Sequence, residues 1–173
     1  MLLLKLTKGN NLKSYHLFVD GSVDPTSKLG FGAYLLLENL DEIILKKEIK
    51  SIRIENTSSS KLELQLILYL MKKMEGKHLK LKIYTDSNAI ISLIKRKERL
   101  VIMDFHSKNN RLLNLHYLYK DFFSLYNPLN IEFIKLKGHS RANEKDRFDR
   151  YFSMVDKASR KALRNFLKES PAS

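Results

Sequence analysis

Cysteine and tryptophan are both absent from the 173 residues of this chain. Without cysteine there is no disulfide, no thiolate zinc site and no thiol nucleophile, which fits a reducing compartment. Only three prolines and six glycines occur, and no repeat or low-complexity linker stands out. No apolar run approaches the roughly 18 residues needed to cross a bilayer. The opening Met1-Leu2-Leu3-Leu4-Lys5 is too short for a signal-peptide core. The expectation is a soluble, intracellular, cytoplasmic protein with no membrane partner. Acids are also scarce relative to bases: 19 Asp and Glu stand against 32 Lys and Arg, a formal +13.

What is present then carries the reading. A surplus of cations on this scale attracts phosphate-rich polymers by counterion release, so nucleic acid heads the partner classes. The apolar share of 43% is enough for a core. The length suits one domain, read as residues 13–168, with 1–12 as an N-terminal edge segment and 169–173 as a tail. A monomer is expected.

Patterning predicts strands at Tyr15–Asp20, Phe31–Glu38 and Ile43–Ile54, with a turn at Asp20-Gly21. A helix over 58–75 follows, then a strand at Leu79–Tyr84, helices at Asp86–Lys97 and Lys108–Tyr126, a strand at Ile131–Lys137 and a last helix over about 144–168. The order βββ-α-β-α-α-β-α implies an α/β fold. Its sheet would be a mixed five-stranded one, an antiparallel meander joined by parallel strands and flanked by helices.

Four acids stand at informative places. Each has a structural explanation by itself: Asp20 before Gly21 suits a turn, Glu63 after Ser60 suits a capping box, Asp86 suits a helix N-cap and Asp156 suits a solvated face. Together they say more. From Leu62 to Met71 the helix carries only Glu63 and Gln65 as polar residues, so an acid there sits on a largely buried helix and needs a partner. Asp20 and Asp86 each end an apolar run; if those strands are parallel neighbours, their carboxyl ends meet where ligand sites form. Grouped carboxylates repel, and hard divalent cations relieve that repulsion.

The residues around these acids resemble the ribonuclease H family, over about 15–165. Phe18-Val19-Asp20-Gly21-Ser22 resembles its first catalytic strand, and Gly30-Phe31-Gly32-Ala33-Tyr34 the start of its second. Ser59-Ser60-Lys61-Leu62-Glu63-Leu64 resembles the glutamate helix, Ile83-Tyr84-Thr85-Asp86-Ser87 the second aspartate strand end, and Lys137-Gly138-His139-Ser140 the histidine loop. The resemblance implies an RNase H-like fold and an endonuclease that cuts the RNA strand of an RNA–DNA hybrid. It implies two Mg²⁺ ions, or Mn²⁺ in their place, held by Asp20, Glu63, Asp86 and Asp156, with His139 moving protons or aiding product release. Gly21, Ser22, Ser59, Ser60, Ser87 and Asn88 would contact substrate.

The fourth acid is ambiguous among Asp146, Asp149 and Asp156. Asp149 suits a short histidine loop, but Val155-Asp156-Lys157-Ala158-Ser159 better resembles the family's last helix. Serines also stand where the family often has asparagines before the glutamate, and no tryptophan-bearing basic handle exists; Lys95-Arg96-Lys97 and Arg99 are candidates to replace part of it. Two other readings stay open at this point: another nuclease on the same fold, cutting DNA, and a non-catalytic hybrid- or RNA-binding module.

Overall fold

The computed structural model describes residues 12–40, 48–127, 129–136 and 146–169. Strand β1 (Lys13–Asp24) forms an antiparallel hairpin with β2 (Leu29–Leu37), and β3 (Lys50–Ile54) extends the meander. After helix α1 (Ser59–Met74), β4 (Leu79–Thr85) pairs parallel with β1. Helices α2 (Asn88–Lys95), α3 (Lys97–Ile102) and α4 (His116–Tyr126) lead to β5 (Asn130–Lys135), parallel to β4, and then to α5 (Arg147–Glu169). The five-stranded sheet has the order β3-β2-β1-β4-β5. It is the mixed sheet that the element order predicts. Among the described residues no helix is long and apolar enough to cross a membrane.

The central strand shows why the two layers form. Leu17, Phe18 and Val19 are all buried, a continuous apolar run suited to a strand covered on both faces. Leu17 and Val19 join the cluster under α1 and α4, while Phe18 joins Ala33, Leu35, Tyr84, Phe152 and Val155 under α5. Helix α1 buries Leu62, Leu64, Leu66, Ile67, Leu68, Leu70, Met71 and Met74, which explains its nearly unbroken apolar sequence.

Several boundaries differ from the sequence reading, each for a physical reason. Strand β1 does not end at Asp20-Gly21; it runs to Asp24, and the turn falls on residues 25–28. Gly21 serves close packing instead. A Cβ there would lie 2.6 Å from Leu62 Cδ2, and one at Gly32 would lie 2.9 Å from Leu66 Cδ1. These two glycines let successive turns of α1 settle onto β1 and β2. The helix expected from Asp86 to Lys97 is α2 followed, after a break at Arg96, by α3. The helix expected from Lys108 begins only at His116, because Asn110 takes a left-handed φ of 53° that a helix cannot use. Strand β3 is described from Lys50; residues 43–47 of the predicted strand, and residues 1–11, lie outside the described residues.

A first prediction concerns this seat. Gly21→Val should drive a branched side chain into Leu62 and destabilise the fold by about 1–3 kcal/mol, the usual range for overpacking. Chemical denaturation checks it, and a midpoint unchanged from wild type would mean that α1 does not need the glycine.

Candidate active site

The β1–β4 ladder closes at Phe18 opposite Tyr84. Asp20 and Asp86 each stand two residues beyond that pair, so they share a level where the parallel strands part. Such carboxyl ends are where α/β sheets place their ligands. Glu63 arrives from the α1 face and Asp156 from the α5 face. Asp20, Glu63 and Asp86, with Val19, Leu66 and Thr85, line a narrow crevice at these strand ends.

Serines set the orientation of two of these acids. Ser87 is the N-cap of α2, where its Oγ accepts from the Ile90 N–H, and the same hydroxyl donates to Glu63 Oε2. Ser159, fully buried on α5, donates to Asp20 Oδ2 at 2.8 Å; its Oγ also lies 2.9 Å from the Asp156 carbonyl oxygen. The Asp156 carboxylate accepts from Arg160 Nε at 2.8 Å, one helical turn on.

These contacts replace the isolated structural explanations. The N-cap of α1 is Ser58, so Glu63 closes no capping box with Ser60. The N-cap of α2 is Ser87, not Asp86. Asp20 lies inside a strand, not in a turn.

Electrostatics mark the same group. Burial is the main force that raises Asp20 to about 6; the charges of Asp156 and Asp86 push it further up, while the Ser159 hydrogen bond pulls it down. Glu63 is raised as well, first by burial and then by Asp86, against the pull of Ser87. Carboxylates that resist ionisation, next to one another and at a strand-end cleft, form a set that a cation would stabilise.

The donor chemistry fits a hard divalent ion: the set is all carboxylate oxygen. Among the described residues, no group of three or more His, Cys, Asp or Glu side chains is placed to hold a metal ion.

The remaining candidates sit on several elements. Ser59 and Ser60 are exposed in the first turn of α1, and Ser22 is half-buried opposite Phe31 in the β1–β2 ladder. Gly21 faces Leu62. Ser87 is only 5% exposed, so its hydroxyl turns to Glu63 rather than outward. Asn88 is exposed, and its Oδ1 accepts from Lys135 Nζ. His139 lies outside the described residues. Asp149 is in the first turn of α5, where its N–H donates to Asp146 Oδ1 at 2.8 Å. It lies seven residues, or about 10 Å along the helix, from Asp156. Sequence reasoning missed Ser159 and Lys135; the only trace of Ser159 was its position three residues after Asp156.

The sequence profile of the RNase H family matches residues 12–163. The chain belongs to the RNase H family. Membership brings the enzyme class with it, a hydrolase of the ribonuclease kind. One relative, the ribonuclease H of Caldanaerobacter subterraneus subsp. tengcongensis, is 25% identical over 169 residues, covering 94% of this chain and 99% of that protein. Among solved structures, the native prototype foamy virus protease–reverse transcriptase matches with a TM-score of 0.67 at 19% identity, over 88% of this chain and 21% of that one. A foamy viral protease–reverse transcriptase in complex with dsDNA matches with a TM-score of 0.59 at 11% identity, over 86% of this chain and 97% of that one. At these identities the structural likeness speaks for the RNase H fold alone.

Proposed function

We propose that this chain hydrolyses the RNA strand of RNA–DNA hybrids, with two Mg²⁺ ions, or Mn²⁺ in their place, held by Asp20, Glu63, Asp86 and Asp156. The observation that carries the reading is the placement of Asp20 and Asp86 at the carboxyl ends of two parallel neighbouring strands, with Glu63 lining the same cleft. Asp20 and Asp86 stand at one level beyond Phe18 and Tyr84, and Asp156 and Asp86 both raise Asp20 electrostatically. When bound, such ions supply a nucleophilic water and stabilise the leaving oxygen.

The chain's own residues do the positioning. Ser159 holds the Asp20 carboxylate through Oδ2, and Ser87 holds Glu63 through Oε2, which fixes the orientation of both acids. His139, eight residues before the start of α5 in the sequence, shuttles protons or helps product and metal depart. Ser59 and Ser60 at the start of α1, with Ser22 and Asn88, form the substrate rim; Gly21 is packed on Leu62 and Ser87 is bonded to Glu63. Reading the 2′-hydroxyl is how a protein separates RNA from DNA, and the exposed serine hydroxyls can donate to or accept from it. The products carry 5′-phosphate and 3′-hydroxyl ends.

The test is cleavage of an end-labelled hybrid with Mg²⁺ or Mn²⁺ by the wild type beside Asp20→Asn. Metal-dependent shortening of the RNA strand by the wild type alone supports the proposal. Cleavage of duplex DNA with hybrids untouched, or tight hybrid binding without cleavage, defeats it.

A second prediction follows from the +13 charge. Hybrid affinity should fall linearly on a log–log plot against salt, with a slope of about −0.9 for each phosphate neutralised. Affinity that hardly changes between about 50 and 200 mM salt would mean that the basic surplus takes no part in docking.

A further inference from the structure

The last helix carries a second charged feature, on the side away from its core. Phe152, Val155, Ser159 and Leu163 are its buried residues. At about 100° per residue, Arg150, Lys157, Lys161, Arg164 and Lys168 fall within a sector of about 60°, centred opposite that buried face. All five are exposed. From first to last they span about 27 Å at about 1.5 Å per residue. None of them forms an ion pair with a described acid. The acids of α5, Asp149, Asp156 and Glu169, all lie outside the sector.

Two recesses open along this face. One of about 350 Å³ is lined by Arg150 and Arg147 with Leu40 and Tyr151. The other, of about 390 Å³, is lined by Lys157 and Lys161 with Ile49, Met154 and Ala158. Like charges three and four apart on a helix repel and weaken it; here Lys157 and Lys161, Lys161 and Arg164, and Arg164 and Lys168 are such pairs. A polyanion lying along the stripe would turn that repulsion into attraction.

We propose that this face of α5 is a second nucleic-acid track, which holds the phosphate backbone of a duplex segment flanking the one being cut. Asp156 projects about 110° round the helix from the centre of the stripe, so the stripe does not open into the acid cleft. It is an adjoining surface rather than part of the cutting site. A lipid surface fits less well, because the apolar face that would enter a bilayer is packed on the sheet. The contact reads no sequence: it consists of cations on a helix surface, which meet phosphates and not base edges.

The test needs no cleavage, so it stands apart from the proposed hydrolysis. Binding is measured by fluorescence anisotropy without metal, for the wild type and for a variant carrying R150Q, K157Q, K161Q, R164Q and K168Q. None of these positions belongs to the acid cluster, and glutamine keeps nearly the same helix propensity. One probe is a hybrid of roughly eight base pairs, about 27 Å long; the other is the same hybrid continued by about 20 base pairs of DNA. The wild type should prefer the flanked probe by about tenfold or more, and the variant should lose that preference. The salt slope for the flanked probe should become shallower by about 4.5 if all five cations meet phosphates. Affinity for the short hybrid should change by less than about threefold, which also shows that the variant is folded. A flank preference and slope that survive the substitutions would overturn the proposal, as would an equal loss on both probes. Stripe-dependent sedimentation of the wild type with phosphatidylserine vesicles, alongside a flank preference that ignores the stripe, would overturn it in favour of a lipid.

Discussion

Asp20→Asn will lose metal-dependent hybrid cleavage and yet melt above the wild type in metal-free buffer at pH 7.5. The loss is expected because Asp20 lies at the shared strand level among the other acids. The gain has a different origin. Burial raises Asp20 to about 6, with the charges of Asp156 and Asp86 adding to it. An unfolded Asp titrates near 3.9. Between those values the folded chain binds a proton that the unfolded chain does not, so stability falls as pH rises through about 4 to 6. Above that window the ionised carboxylate costs the fold up to about 3 kcal/mol, since each tenfold change in proton affinity is worth about 1.4 kcal/mol. Asparagine has no such cost, although a poorer bond to Ser159 will offset part of the gain.

The comparison therefore has a pH signature that a simple packing effect lacks. At pH 4 the two proteins should melt close together. At pH 7.5 the variant should lead by several degrees, at about 2–4 °C per kcal/mol for a chain of this size. Adding Mg²⁺ should close the gap by stabilising the wild type alone, as a ligand that binds only the folded state does. Differential scanning calorimetry at the two pH values, with and without Mg²⁺, checks all of this. A gap that is equal at both pH values, or a variant that melts lower at pH 7.5, would show that Asp20 is not strained by burial.

How far the sequence could be read depended on whether a residue's role was local. Asp20 and Asp86 were legible because each follows an apolar run that had to be a buried strand, and two such parallel strands bring their ends together. Glu63 was legible because almost nothing else on its helix is polar. Gly21 misled, since Asp-Gly is a turn signal along the chain; only Leu62, 41 residues later, shows that the missing side chain is needed for helix packing. The late start of α4 was hidden in the same way. Its predicted first turns are occupied by a segment in which His106 bridges to Leu112 and Asn110 is left-handed. Ser159 was not legible as a functional residue. A small residue on a buried helix face reads as a spacer, and its hydroxyl gains a role only because α5 crosses β1 at Asp20.

The same crossing favours Asp156 over Asp149 as the fourth acid. Asp156→Asn should lower kcat by on the order of a hundredfold or more, the scale for losing one preorganised electrostatic contact. Asp149→Asn should change it by less than about threefold, the near-neutral outcome usual for a substitution away from the reacting groups. The argument is geometric. Ser159 ties α5 to Asp20 at 2.8 Å, and its hydroxyl lies 2.9 Å from the Asp156 carbonyl, so Asp156 sits on the turn that touches β1. Its charge reaches Asp20 strongly enough to raise it. Asp149 stands about two turns earlier, in the first turn of the helix, with its N–H donated to Asp146. A negative charge there favours the positive helix end by a few tenths of a kcal/mol to about 1, so its removal should show as a small drop in melting temperature. Steady-state cleavage and thermal melts of both variants separate the two roles. An inactive Asp149→Asn beside a near-normal Asp156→Asn would mean that the catalytic turn of α5 is the first one, and that the Ser159 contact belongs to packing alone.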